Sequence, residues 1–107
     1  MLEQELQKQI IDFLTAKGWL VWKNKNINRT TGKYITGQQK GVPDLTAIKK
    51  GFTWFLEIKT ESGRLSEDQK EFGKKIIAHG GRVSVLRSVN DAKELNDYVS
   101  FKHADGF

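Results

Sequence analysis

The run "PDLTAIKKGFTWFLEIK", residues 43–59, constrains this chain more than any other stretch. Two segments rich in β-forming residues flank Lys50-Gly51, which reads as the turn of a β-hairpin. With those two residues as the turn, Ile48 faces Thr53, Thr46 faces Phe55, and Asp44 faces Glu57. A four-residue turn over 49–52 gives the same register. Strand alternation then places Trp54, Leu56 and Ile58 on one face and Glu57 and Lys59 on the other, with Asp44 beside them. A charge in so apolar a strand is costly unless it is paired, hydrated or bound to a metal.

Side chains directly opposed across a ladder have Cβ atoms about 4.5–5.5 Å apart, and like charges there are destabilising. A bare Asp44–Glu57 pair is therefore a poor structural choice. A divalent cation between the two carboxylates resolves it, since hard cations such as Mg²⁺ favour carboxylate oxygen and water. Lys59, two residues further along the same face, can stabilise negative charge building on a phosphate under attack. A metal there polarises the phosphoryl oxygen and lowers the pKa of its water, so the group suits phosphodiester hydrolysis. The alternative is a salt-bridge cluster in which Lys59 compensates both carboxylates. An isolated E-x-K in a strand is common, and only its combination with Pro43-Asp44 in matching register favours a site.

The remaining pattern supplies the layers. Leu2, Leu6, Ile10, Phe13 and Leu14 form one stripe of an amphipathic helix over 2–17, ended by Gly18. "WLVWK", 19–23, predicts a strand, and 24–41, which lacks either period, predicts a long loop. Ser66 followed by Gln69 is a capping-box pattern that opens a helix running to about His79, where Gly80-Gly81 stops it. "RVSVLR", 82–87, alternates as a strand, and "VNDAKELNDYV" predicts a last helix capped at Asn90 or Asp91. The order is α-β-β-β-α-β-α, an α/β chain of 107 residues with no internal repeat and the size of one domain.

Charge narrows the partners. No acidic residue falls between Asp12 and Asp44, whereas Lys17, Lys23, Lys25, Arg29, Lys33 and Lys40 all do, within a net charge of +5. Such a one-sign segment suits a polyanion such as nucleic acid, or is simply a solvated basic loop. No apolar run approaches the roughly 20 residues of a membrane span. The polar, acidic start does not read as a signal peptide, and the lack of cysteine excludes disulfides and thiolate metal sites. A cytosolic protein is the simplest expectation.

"GVPDL" at 41–45, "FLEIKTESGRLSEDQ" at 55–69 and the α-β-β-β-α-β order resemble the PD-(D/E)xK nucleases. Among them the chain is similar to the virus-type replication-repair nuclease (VRR-NUC) family in its minimal stand-alone form, along nearly its whole length. The resemblance implies a restriction-endonuclease-like core with a C-terminal helix and a central mixed sheet flanked by helices. It implies a Mg²⁺- or Mn²⁺-dependent DNA endonuclease, in a bacterial cell or a phage-infected host. Asp44 and Glu57 would ligate metal with help from the Ile58 carbonyl, and Lys59 would be the catalytic lysine. Gln69 matches the glutamine of the following helix; it lies on that helix's inward stripe with Phe72 and Ile76, or else serves only as the cap of Ser66. For the glutamate that the family tends to carry on the first helix, Glu3 lies nearer the apolar stripe than Glu5, and either is also an ordinary acidic residue at a helix N-terminus. Stand-alone members look like Holliday-junction resolvases, which implies branched DNA as substrate and a homodimer. Lys25, Arg29, Lys33, Lys40 and Arg64 would meet phosphates. The competing readings are a nucleic-acid-binding module that does not cut and a sequence-specific, restriction-like nuclease.

Overall fold

In the computed structural model, which describes residues 1–24 and 39–105 (of 103–105 the helical backbone alone), seven elements follow one another. They are α1 (Glu3–Ala16), β1 (Leu20–Lys23), β2 (Leu45–Lys49), β3 (Phe52–Ile58), α2 (Glu67–Ala78), β4 (Arg82–Leu86) and α3 (Val89–Asp105). The order is the expected one. Most of the loop expected over 24–41 lies outside the described residues.

The four strands form one mixed sheet in the order β1-β2-β3-β4. β1 pairs antiparallel with β2 and β2 antiparallel with β3, whereas β4 returns parallel to β3 after the α2 crossover. The hairpin register is the expected one, with Thr46 opposite Phe55 and Ile48 opposite Thr53. Lys50 (φ 52°) and Gly51 (φ 85°) are both left-handed, which is the two-residue turn whose twist matches the flanking strands. Glycine takes that conformation freely, whereas Lys50 bears roughly 1–2 kcal/mol for it.

Helices cover both faces, unequally. α1 and α3 pack on each other and on one face, where Leu6, Ile10 and Leu14 of α1 meet Leu45, Ala47, Leu56, Ile58 and Leu86 of the sheet. Leu2, assigned to the same stripe, precedes the first turn and is exposed. Ala92, Leu95 and Val99 of α3 complete this core. The buried Trp19 and Asn96 tie the layers, Trp19 Nε1 donating to Asn96 Oδ1 at 3.0 Å. α2 lies on the opposite face against β4, and Ile76 is its buried apolar residue.

Two local expectations are corrected at α3. Its cap is Ser88, whose Oγ accepts from the Asp91 N–H at 3.1 Å, rather than Asn90 or Asp91. The Asp91 carboxylate accepts instead from the Arg87 backbone N–H at 2.7 Å. The helix also continues past Val99 to Asp105, because no glycine or proline interrupts it before Gly106. His103 thus falls in its last turns. Among the described residues no helix is long and apolar enough to cross a membrane.

Candidate active site

The site grows from the end of the β2–β3 ladder. One step beyond the pair Leu45–Leu56 the register brings Asp44 opposite Glu57. The Asp44 carboxylate bridges to β3, its Oδ2 accepting from the Ile58 N–H at 2.8 Å. On its other side the next rung of the β1–β2 ladder holds the backbone, since the Asn24 N–H donates to the Asp44 carbonyl at 2.9 Å. The Asn24 amide also donates to the Pro43 carbonyl at 3.2 Å and accepts from Thr46 Oγ1 at 2.9 Å. Asp44, only 8% exposed, is therefore fixed from both neighbouring strands.

Glu57 is 3% exposed, on the face covered by α2. Its Oε1 accepts from Gln69 Nε2 at 3.1 Å. The carbonyl end of the same Gln69 amide accepts from the Ser66 N–H at 2.8 Å, and the Gln69 N–H donates back to Ser66 Oγ at 3.1 Å. Gln69 thus closes the capping box on Ser66 and contacts Glu57 with the same amide. The segment before Asp44 sets where α2 begins. Gly41 (φ +80°) lies so close to α2 that a Cβ there would collide with the Asp68 carbonyl and stand 2.9 Å from the Gln69 nitrogen. Beside Glu57 and Gln69 opens a groove of about 300 Å³ walled by Pro43, Leu65, Val83 and Val85, with Lys70 and Lys74 among its lining.

Lys59 follows β3 directly, half-buried, and its backbone N–H donates to the Leu86 carbonyl at 3.1 Å. The ion pairs among the described residues, Lys8–Asp12, Lys70–Glu67, Lys74–Glu71 and Lys93–Asp97, all run along helix surfaces. Lys59 enters none of them, so among the described residues it makes no ion pair with Asp44 or Glu57. Ile58 is fully buried.

The other sequence candidates are more dispersed. Glu3 is exposed in the first turn of α1, and among the described residues no group of three or more metal-ligating side chains assembles. Glu5 bends back to accept from the Leu2 N–H at 3.3 Å. Lys40 and Arg64 are exposed, on the turn before Gly41 and on the loop between β3 and α2. Lys25, Arg29 and Lys33 lie outside the described residues. Sequence reasoning missed Asn24 and Thr46, which hold Asp44, and Arg87, whose side chain reaches the loop after Lys59. Asn24 becomes legible only once β1 is known to pair with β2, a register that no short turn sets.

The chain offers two oxygen-donor carboxylates, each with an oxygen held by a described residue, and a lysine directly after β3, two residues beyond Glu57. The profile of the VRR-NUC domain matches residues 1–90. A solved structure described as a VRR_NUC domain aligns with a TM-score of 0.67 at 25% identity, over 89% of this chain and 94% of that one. No curated protein matches the chain.

Proposed function

The chain belongs to the VRR-NUC nuclease family, and from that premise we propose that it is a Mg²⁺- or Mn²⁺-dependent endonuclease of branched or otherwise structured DNA. The observation that carries the reading is the register of the β2–β3 ladder, which ends at Leu45–Leu56 and leaves Asp44 and Glu57 one step beyond it, the Asp44 carboxylate on the Ile58 N–H and Lys59 two residues after Glu57. The residues fit a hard cation. Both ligating groups are carboxylates, and two of them leave coordination positions for water and substrate phosphate, as Mg²⁺ prefers. Asp44 and Glu57 would hold the ion, with the Ile58 carbonyl as a third donor. When bound, the ion supplies Lewis acidity toward the phosphate.

The chain's own groups do the rest. The Ile58 N–H and Gln69 amide hold one oxygen of each carboxylate, so the pair is oriented before substrate arrives. Lys59 places its ammonium beside charge that grows on the phosphate during attack, where a fixed cation is most effective. Lys40 and Arg64, with Lys25, Arg29 and Lys33, meet backbone phosphates and orient the duplex without reading its sequence. Glu3 is the candidate for a further carboxylate. A homodimer would set two such sites for paired cuts across a four-way junction, and two-fold association is the commonest symmetric choice.

Cleavage of four-way, flap and linear duplex DNA in Mg²⁺, Mn²⁺ or Ca²⁺ tests the reading. It predicts cutting of the branched substrates with Mg²⁺ or Mn²⁺ and little with Ca²⁺. Cutting of linear duplex at one sequence would favour the restriction-like enzyme. Binding without cutting under every condition would favour the non-cleaving module.

A further inference from the structure

Arg87, the residue after β4, directs its side chain at backbone rather than at a carboxylate. Its Nη1 donates to the carbonyls of Thr60 at 2.8 Å and Gly63 at 2.6 Å, with that of Glu61 at 3.4 Å. Those carbonyls belong to one turn, closed by the Gly63 N–H on the Thr60 carbonyl at 3.0 Å. The turn starts on the residue after Lys59 and folds back over it. A Cβ built on Gly63 would stand 3.4 Å from Lys59 Cδ, so the Gly63 backbone runs beside the lysine's stem with room for about one carbon between them.

We infer that Arg87 is a positioning residue for Lys59, acting through the turn over 60–63. The regular pairing of β3 with β4 ends at Ile58–Leu86, immediately before Lys59. Beyond that point two consecutive residues at the end of β4 continue the hold. The Leu86 carbonyl takes the Lys59 N–H, and Arg87 takes the turn that backs the Lys59 stem. A lysine ammonium on its flexible four-carbon chain loses much rotamer freedom when it is fixed, so a wall beside the stem lowers the cost of placing it. Hydrogen bonds from a charged donor are roughly twice as strong as neutral ones, which suits a single side chain to this task. Arg87 is itself anchored, its N–H on the Asp91 carboxylate and its neighbour Ser88 capping α3. It is exposed, so its removal opens no core.

The inference rests on the nuclease reading for its kinetic consequence and not for its structural one. The test uses the full chain as Arg87→Ala and Arg87→Lys, with single-turnover cleavage of four-way DNA at several salt concentrations and amide hydrogen exchange over 60–66. Arg87→Ala is expected to lower the maximal rate about tenfold, as small misplacements of catalytic groups do, with KM and salt dependence unchanged. It is also expected to accelerate exchange over 60–66. Arg87→Lys, which keeps a cationic donor, is expected to recover part of both. A raised KM, an unchanged maximal rate and a salt slope shallower by about one phosphate contact would instead make Arg87 a DNA ligand and overturn the inference. Unchanged exchange would overturn it whatever the rates. If the wild type cuts no DNA while exchange in Arg87→Ala still accelerates, the clamp on the turn stands and the nuclease reading falls.

Discussion

Gln69 shows how one side chain serves two structures. An amide has an acceptor end and a donor end, and here the acceptor closes the capping box on Ser66 while the donor reaches Glu57. The start of α2 and the orientation of a buried carboxylate are thereby one piece of geometry. Two substitutions separate the parts. Gln69→Glu keeps an acceptor for the Ser66 N–H but turns a donor into a like charge beside Glu57. It should cost roughly 1 kcal/mol or less in the cap, yet lower cleavage by at least about tenfold. Gln69→Ala removes both contacts, so denaturant unfolding and single-turnover rates should fall together. Glutamate and alanine variants with full cleavage rates would reduce Gln69 to a cap. At this scale Asp44, Glu57, Lys59 and Gln69 were legible in the sequence, because alternation, a short turn and a capping pattern are all local. Asn24 and Arg87 were not, since each acts on a segment whose neighbour is set by tertiary pairing.

At the scale of elements, the hairpin and the approach to α2 place the pair. Lys50-Gly51 carries the register, and its two positive φ values show why so short a turn suffices. Gly41 performs a different task, letting the segment that leads into Asp44 and β2 pass against the first turn of α2. Alanine at each position distinguishes the two. Gly51→Ala meets open space and suffers only from its backbone conformation, so it should lose about 1 kcal/mol of stability and keep its cleavage rate. Gly41→Ala bears the same backbone strain and also pushes the Asp68 carbonyl, displacing the turn that holds Gln69. It should lose roughly 1–3 kcal/mol and most of its activity. Equal cleavage by the two variants would mean that the Gly41 contact does not set the site. Element order and hairpin register were readable from periodicity and turn chemistry. The Ser88 cap and the length of α3 were not, because Asn90, Asp91 and Ser88 all have capping side chains and only the fold chooses among them.

The whole molecule divides its labour between the two faces of one sheet. The face toward α1 and α3 carries the contiguous apolar core, whereas the α2 face carries Glu57, Gln69 and an adjacent groove. The alternation of β3 already implied this division: Leu56 and Ile58 anchor the strand, and Glu57 between them is free of any packing duty on that side. What the sequence could not convey is how deeply Glu57 is buried on its own face, because that depends on where α2 docks. A site held by strand ends and one helix turn, over a core on the opposite side, permits polar substitutions with little loss of fold. The most direct test therefore follows the single-turnover cleavage of a four-way DNA junction in Mg²⁺ by wild type and by Lys59→Ala, with unfolding measured in parallel. Loss of cleavage by more than about tenfold with unfolding little changed is the predicted result. Equal rates in the two proteins would remove Lys59 from the chemistry and contradict the account.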